Sequence, residues 1–438
     1  MPNFRERLES YFEFRQLQTD WRTEIVAGLT TFMTMAYIIF VNPAILSETG
    51  MPVAAVTAAT CLASAVGSIL MGAYARYPIA LAPGMGLNAY FTYSVVKGMG
   101  LSWQVALGAV FLSGVAFLLL TVVGLRQLIL SAIPTELYAA VAVGIGLFIA
   151  FIGLRNSGII AASPATLVTL GNLRAPSTVL ALGGLILMSA LMAWQVRGAI
   201  LIGVLGTTVA GLLTGVFQWT PQPYSMFALA GTALQLDVAG ALKVGLIEIV
   251  FVFLFVDLFD NIGTLVGVGT KAQLFDDARR IPRVNRILLT DSVATICGSL
   301  TGTSTVVSYI ESAAGVAAGG RSGVTAIVVG LMFLIAVFLA PLAGVIPAAA
   351  TAPALVIVGS LMASHAREIH WDDTVTAIPA FLTMVTVPLS FSIANGLAFG
   401  FTAYTLLRMA KGEFRKVNGL VYVLTILFLI RFFYLGKE

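Results

Sequence analysis

The sequence predicts an all-α polytopic membrane protein with about fourteen transmembrane spans, arranged as a 7+7 inverted repeat. Three observations predict this fold class. Hydrophobic residues make up 59% of the 438 residues, charged residues make up only 10%, and the mean hydropathy is +0.97. Apolar stretches of roughly 20 residues, the length of a helix that crosses a bilayer, recur along the whole chain. Short patterns of the first half also return in the same order in the second half.

The predicted spans are of two kinds, continuous and interrupted. The continuous spans lie near residues 24–45, 53–73, 101–123, 134–154, 176–194, 199–217, 242–266, 284–301, 322–342, 345–363, 374–391 and 393–410. The third and tenth spans, 78–96 and 303–319, are rich in Gly, Pro, Ser and Thr and are predicted to be broken. A further apolar stretch, 417–435, either crosses the membrane or lies on its inner surface, and Arg431 favours the surface.

The basic residues predict the orientation of the chain in the plasma (inner) membrane. Four arginines between residues 5 and 22 place the N-terminus in the cytoplasm, and every second loop thereafter is basic. The long loop 218–241 contains no Lys or Arg and is predicted to lie outside, whereas Lys97 and Arg155 are exceptions. The alternation requires both interrupted segments to cross the membrane. The net charge of +4 therefore reports topology, and we expect lipid rather than nucleic acid around the protein.

Paired patterns predict the inverted repeat. Gly67 precedes Gly84 by seventeen residues, and Gly298 precedes Gly315 by seventeen residues. Further pairs follow the same order, namely Glu24-Ile-Val with Glu248-Ile-Val, and Ile133-Pro134 with Ile346-Pro347. Two halves with seven spans each must have opposite orientations in the membrane, which is the arrangement of inverted-repeat transporters.

Acidic residues inside apolar segments mark the predicted polar centre. Asp257, Asp260 and Asn261 are spaced to share one face of the eighth span, and Glu311 lies in the interrupted tenth span. A carboxylate that faces lipid costs several kcal/mol, so these side chains should face the protein interior. Because no basic residue lies within these segments, the cluster could take up and release protons. The alternative is that the acids pair with backbone groups and serve structure alone.

Three motifs resemble those of a known family. They are APGMGLNAYF at 82–91, FVDLFDNIGTLVG at 255–267 and GTSTVVSYIESAAGVAAGGRSG at 302–323. Together they are specific, and they resemble the AzgA-like purine permeases, a branch of the nucleobase–cation symporters, over nearly the whole chain. The resemblance implies import of adenine, guanine or hypoxanthine with a proton. The first span lacks the Gln-His pair of the xanthine and urate branch, which makes those two cargoes less expected.

The resemblance also implies roles for individual residues. Asn88, Asp257 and Glu311 would contact or position the purine, while Gly86 and Asp260 would tune the site, with Asp260 and Glu311 also serving proton coupling. Either Phe259 or Tyr309 could stack on the purine ring. No cofactor and no metal site are expected, because His365 and His370 belong to a charged loop.

The family's similarity to the uracil permease predicts a core domain and a gate domain. The predicted division is a cytoplasmic segment 1–23, core halves 24–133 and 242–342, gate halves 134–217 and 343–410, an external loop 218–241 and a C-terminal apolar segment 411–438. A homodimer is one candidate oligomeric state.

Three other functions remain open at this point. An anion transporter of the same architecture would attract sulfate or bicarbonate to helix N-termini at the broken spans, although two acids would oppose the anion. A passive nucleobase channel would lack coupling. An intramembrane enzyme finds little support, because no metal cluster or nucleophile–base pair occurs in the apolar segments.

Overall fold

The computed structural model describes residues 3–124, 134–219, 228–243, 247–272, 282–340 and 344–434. Within these ranges the structure is mainly helical. The helices of the first half are α1 Phe4–Tyr11, α2 Phe14–Leu17, α3 Trp21–Met35, α4 Ile38–Leu46, α5 Val53–Leu70, α6 Met85–Ala89, α7 Trp103–Val122, α8 Thr135–Asn156, α9 Pro176–Ala193 and α10 Ala199–Leu213. Those of the second half are α11 Val238–Lys243, α12 Ile247–Ala272, α13 Val284–Thr301, α14 Ser312–Ala317, α15 Gly323–Ala336, α16 Ala348–Ala363, α17 Thr374–Ser390, α18 Ile393–Ala410 and α19 Gly419–Tyr434.

Several of these helices have the length and composition of membrane spans. Among the described residues, six helical stretches are long and apolar enough to cross a bilayer. They are Trp21–Thr49, Val53–Ala75, Trp103–Val122, Thr135–Asn156, Pro176–Ala193 and Ala348–Glu368. The chain is therefore an integral membrane protein, as its composition predicts. The C-terminal apolar segment forms a helix, α19.

The described chain divides into two compact units. The first contains residues Met1–Leu119 and Asn156–Ala354, and the second contains Leu120–Arg155 and Leu355–Glu438. Both interrupted segments and all the predicted site residues belong to the first unit. The second unit has its own buried cluster, in which Ala139 and Ala140 of α8 meet Ile369 and Ala380.

Two interrupted segments meet in a short antiparallel strand pair. Strand β1, Leu81–Pro83, pairs with strand β4, Val306–Ser308, in the register Leu81↔Ser308 and Pro83↔Val306. A separate β-hairpin, formed by β2 Ile160–Ser163 and β3 Leu167–Leu170, also belongs to the first unit. Proline and glycine in the first segment and β-branched residues in the second favour extended backbone over helix at these points.

The hydrogen bonds around this pair have a local two-fold symmetry. The Gly84 N–H donates to the Thr305 carbonyl at 2.9 Å, and the Tyr309 N–H donates to the Ala80 carbonyl at the same distance. Each of the four residues stands immediately before or after its strand. The two interruptions thus satisfy part of each other's backbone polar groups, which a non-helical backbone within a membrane requires.

Two helix hydroxyls hold the first residues of the strands. The Ser68 hydroxyl of α5 accepts from the Leu81 N–H at 3.0 Å and donates to the Leu81 carbonyl at 3.2 Å. Correspondingly, Thr295 of α13 accepts from the Val306 N–H at 3.3 Å and donates to the Val306 carbonyl at 3.0 Å. The strand pair is therefore fastened at both ends to neighbouring helices.

Candidate functional site

Two acidic side chains lie beside the strand pair without being fully buried. Glu311 follows strand β4 and immediately precedes helix α14, and its side chain does not cap that helix. Asp260 lies on α12, and its Oδ2 would be 3.4 Å from a Cβ placed on Gly84. Both residues are partly exposed, whereas their neighbours Tyr309 and Asn261 are buried. The two predicted coupling residues thus border the same region of the first unit.

Two buried tyrosines accompany these acids. The Tyr37 hydroxyl donates to Glu311 Oε1 at 2.6 Å, and the Tyr309 hydroxyl donates to the Pro83 carbonyl at 2.5 Å. Asp260 and Glu311 are both close enough to interact electrostatically with each tyrosine. Tyr37, Tyr309, Asp260 and Glu311 therefore form one cluster, which we call the tyrosine–acid cluster.

Asn88 lies in helix α6, which follows strand β1 in the first interrupted segment. Its Oδ1 accepts a hydrogen bond from the Ser304 hydroxyl, and its Nδ2 is buried with no hydrogen-bond partner among the described residues. The adjacent Thr303 hydroxyl accepts from Asn42 Nδ2 at 2.9 Å. A buried amide donor without a partner is costly, so Asn88 has the free capacity that ligand binding requires.

Asp257 belongs to a neighbouring, fully buried network. Asn261 Nδ2 donates to Asp257 Oδ1 at 2.8 Å and to Asp291 Oδ2 at 2.6 Å. On its other side, Asn261 Oδ1 accepts from the Ser308 N–H at 3.1 Å. A single amide therefore connects α12, α13 and strand β4. Asp257 and Asn261 do share a helix face, as their spacing predicts.

For two of the predicted contact residues, Gly86 and Phe259, the predicted roles stay predictions. Gly86 is buried in α6, within the first of the interrupted segments. The side chain of Phe259 lies outside the part of the chain whose side chains the structure describes, so its predicted stacking role stays a prediction.

The structure adds two residues that the sequence analysis did not select. Tyr37 stands between α3 and α4, where the first span leaves regular helix for two residues. Asp291 is fully buried in α13 and shares Asn261 with Asp257. The signal for Asp291 was present, since every acid inside an apolar segment needs an explanation. For Tyr37 the sequence offered only an aromatic residue in an apolar span, which is common.

The site offers directional polar groups around a region of buried apolar and aromatic residues. Carboxylates accept hydrogen bonds, and the Asn88 amide can donate. Within the described ranges no group of three or more His, Cys, Asp or Glu side chains could hold a metal ion. The arrangement therefore offers hydrogen-bond acceptors and a donor to a small polar molecule.

Comparison with known proteins covers almost the whole chain. Residues 22–428 match the Permease family (Xan_ur_permease). The guanine/hypoxanthine permease PbuG of Bacillus subtilis is 47% identical over 98% of this chain and 100% of its own length. The adenine permease AdeP of Escherichia coli is 43% identical over 98% of this chain and 97% of its own length.

Solved structures support the fold at much lower sequence identity. The transmembrane domain of the cyanobacterial bicarbonate transporter BicA superposes with a TM-score of 0.66. The match covers 86% of this chain and 97% of that domain, at 14% identity. Similarity at this level concerns the transporter architecture and says nothing about the cargo.

Proposed function

The chain belongs to the Permease family, and from that premise we propose that it imports purine bases together with protons by alternating access. It is a permease and not an enzyme. The observation that carries the proposal is whole-length similarity to relatives named as adenine or guanine/hypoxanthine permeases. Hypoxanthine, guanine and adenine are therefore the proposed cargo.

The chemistry of the candidate site supports a purine. A purine presents ring N–H donors, a carbonyl or amine, and a flat face, and carboxylates are strong acceptors for such donors. In the proposed pose, Glu311 accepts a ring N–H and Asn88 binds a purine acceptor through Nδ2. Tyr309 packs on the ring, while Asp257 positions the site through Asn261.

Proton coupling is assigned in this proposal to Asp260 and Glu311. Both acids are partly exposed and lie in one cluster. The sequence contains no Lys or Arg between Lys243 and Lys271, and none between Arg286 and Arg321, so the segments that hold these acids bring no cation of their own. Protonation would change the charge that the purine meets, which links cargo binding to proton binding.

We further propose that the strand pair stands near the membrane midplane, at the centre of a fourteen-span inverted repeat. The pairing of β1 with β4 is compatible with that arrangement, because each of the two interrupted segments, one from each half, supplies one strand. In this scheme spans 1–4 and 8–11 form the core and spans 5–7 and 12–14 form the gate. The N-terminus lies in the cytoplasm.

Uptake into proteoliposomes tests the function. Radiolabelled hypoxanthine should accumulate when the outside is more acidic than the inside, and an uncoupler should abolish the accumulation. Unlabelled guanine and adenine should compete for uptake. Equilibration without accumulation at either pH would instead identify a passive channel.

The same assay separates the anion alternative. If the protein carries anions, labelled hypoxanthine should enter no faster than into protein-free liposomes, whereas labelled sulfate or bicarbonate should be taken up and unlabelled purines should not compete with it. The acids of the tyrosine–acid cluster argue for the purine, because an anion would meet carboxylates where it needs donors.

A further inference from the structure

Tyr37 lies in the two-residue turn that separates helices α3 and α4 within the first span. Helix α3 ends at Met35 and α4 begins at Ile38, which leaves Tyr37 in a turn between them. Its side chain is only 1% exposed. A buried phenol normally finds a hydrogen-bond partner, and this hydroxyl donates to Glu311 Oε1 at 2.6 Å across 274 residues of sequence.

This hydrogen bond engages one of the two carboxylate oxygens of Glu311. A glutamate side chain has three rotatable bonds, so an unpartnered one would sample many positions. Tyr37 comes from a different span and restricts where the carboxylate can stand. The Tyr37 hydrogen bond leaves Oε2 as the other carboxylate oxygen. Glu311 is partly exposed, and the preceding residue, Ile310, is 46% exposed.

We propose that Tyr37 is a positioning residue for Glu311: it holds Oε1 so that Oε2 faces the purine N–H. The inference rests on the proposed function, because it assumes that Glu311 binds the purine. It adds that the first span takes part in purine binding indirectly, through a carboxylate on the tenth span. Tyr37 itself does not contact the purine.

Tyr309 provides a matched control within the same cluster. It is also a buried tyrosine with electrostatic contact to Asp260 and Glu311, but its hydroxyl donates to the Pro83 carbonyl. Removal of either hydroxyl keeps an aromatic ring in place. Only removal of the Tyr37 hydroxyl takes a hydrogen bond from Glu311.

The test is a double-mutant cycle on purified protein, read as the equilibrium Kd for radiolabelled hypoxanthine. Tyr37→Phe should raise the Kd by about three-fold to ten-fold in the wild-type background, because the carboxylate loses the hydrogen bond that positions it. A ten-fold rise corresponds to about 1.4 kcal/mol. In a Glu311→Ala background, which has no carboxylate to position, Tyr37→Phe should raise it less than about two-fold. Tyr309→Phe should have the same effect in both backgrounds.

The outcomes separate this inference from the proposed function. If Glu311→Ala binds hypoxanthine as tightly as the wild type, the proposed site is wrong. If Glu311→Ala binds weakly but Tyr37→Phe raises the Kd equally in both backgrounds, the site stands and the positioning role of Tyr37 fails. An unchanged Kd for Tyr37→Phe in the wild-type background also overturns it. Melting temperatures of the variants in detergent check that each one is folded.

Discussion

Glu311 combines the properties that a purine-binding acid needs. The residue is partly exposed, one carboxylate oxygen accepts a hydrogen bond from Tyr37, and the small residues Ser312, Ala313, Ala314 and Gly315 follow it in the chain. A charge-assisted hydrogen bond to a purine N–H is typically worth roughly 1.5–3 kcal/mol. The carboxylate is therefore the side chain whose replacement should affect affinity most.

Glu311→Gln should weaken hypoxanthine binding by about ten-fold to a hundred-fold. The amide keeps the shape but replaces one acceptor oxygen with a donor, which would meet the donor N–H of the purine. Glu311→Asp keeps the charge on a shorter side chain and should lose less. Equilibrium binding to the purified variants measures both. Unchanged affinity for hypoxanthine, guanine and adenine in Glu311→Gln would remove this residue from the site.

Asp260→Asn should reduce proton-driven accumulation more than purine affinity. Asp260 lies in the tyrosine–acid cluster one helical turn beyond Asp257, and the neutral amide cannot carry a proton on and off. Accumulation ratios in proteoliposomes and the Kd for hypoxanthine are compared in the same variant. A variant that binds poorly yet still concentrates its cargo would make Asp260 a ligand and not a coupling residue.

At the scale of elements, the strand pair depends on the helices that hold its ends. Ser68 bonds to both the N–H and the carbonyl of Leu81, whereas Ser64, one turn earlier on α5, donates only to the Thr60 carbonyl of its own helix at 2.7 Å. Both serines are fully buried. They differ mainly in whether the hydroxyl holds the strand.

Ser68→Ala should therefore destabilise the protein more than Ser64→Ala. The first change leaves a buried N–H without a partner, at a cost of about 1–3 kcal/mol, while the second removes a bond to a carbonyl that the helix already uses. Thermal unfolding in detergent measures the difference, and the Kd for hypoxanthine should rise only in Ser68→Ala. Equal losses in both variants would mean that the hydroxyl does not support the strand.

Close backbone approach also shapes the first unit at this scale. A Cβ on Gly72 would lie 2.2 Å from the Gly323 carbonyl oxygen, and a Cβ on Gly323 would lie 2.0 Å from the Gly72 carbonyl oxygen. The π-helical turn Met71–Ala75 and helix α15 thus touch through two glycines. Small residues at such contacts are how membrane helices pack without a hydrophobic driving force.

At the scale of the whole molecule, the distribution of charge predicts which loops face the cytoplasm. Gln218, at the start of the loop without Lys or Arg, and Lys411, after the fourteenth predicted span, are both exposed. With Cys61 and Cys297 replaced by alanine, a single Gln218→Cys should react with a membrane-impermeant maleimide added to intact cells. Lys411→Cys should react only after permeabilisation.

The labelling pattern tests the number of spans as well as the orientation. Fourteen spans return the chain to the cytoplasm at Lys411, whereas failure of either interrupted segment to cross would move every later loop to the other side. Labelling of Lys411→Cys from outside, with Gln218→Cys protected, would contradict the predicted topology. A Cys-free protein without either substitution is the control.

The sequence by itself determined the class of the protein and predicted the segments where its chemistry should lie. Apolar stretches of membrane-spanning length, acids within them and two Gly/Pro- or Ser/Thr-rich interruptions are local patterns, which the amino acids reveal without knowledge of their neighbours. The motifs around Asn88, Asp257 and Glu311 also indicated the family, and the comparisons confirm that resemblance.

Only the tertiary structure decided which of these residues meet. The pairing of residues 81–83 with 306–308, the Tyr37–Glu311 hydrogen bond and the Asn261 amide shared by Asp257 and Asp291 join segments far apart in the chain. The hydropathy of a span predicts only that a residue lies in the membrane. The residue that it contacts depends on how the helices pack. Tyr37 therefore cannot be recognised from the sequence, whereas Asp291 is visible there as an acid within an apolar segment and only its partner Asn261 depends on the fold.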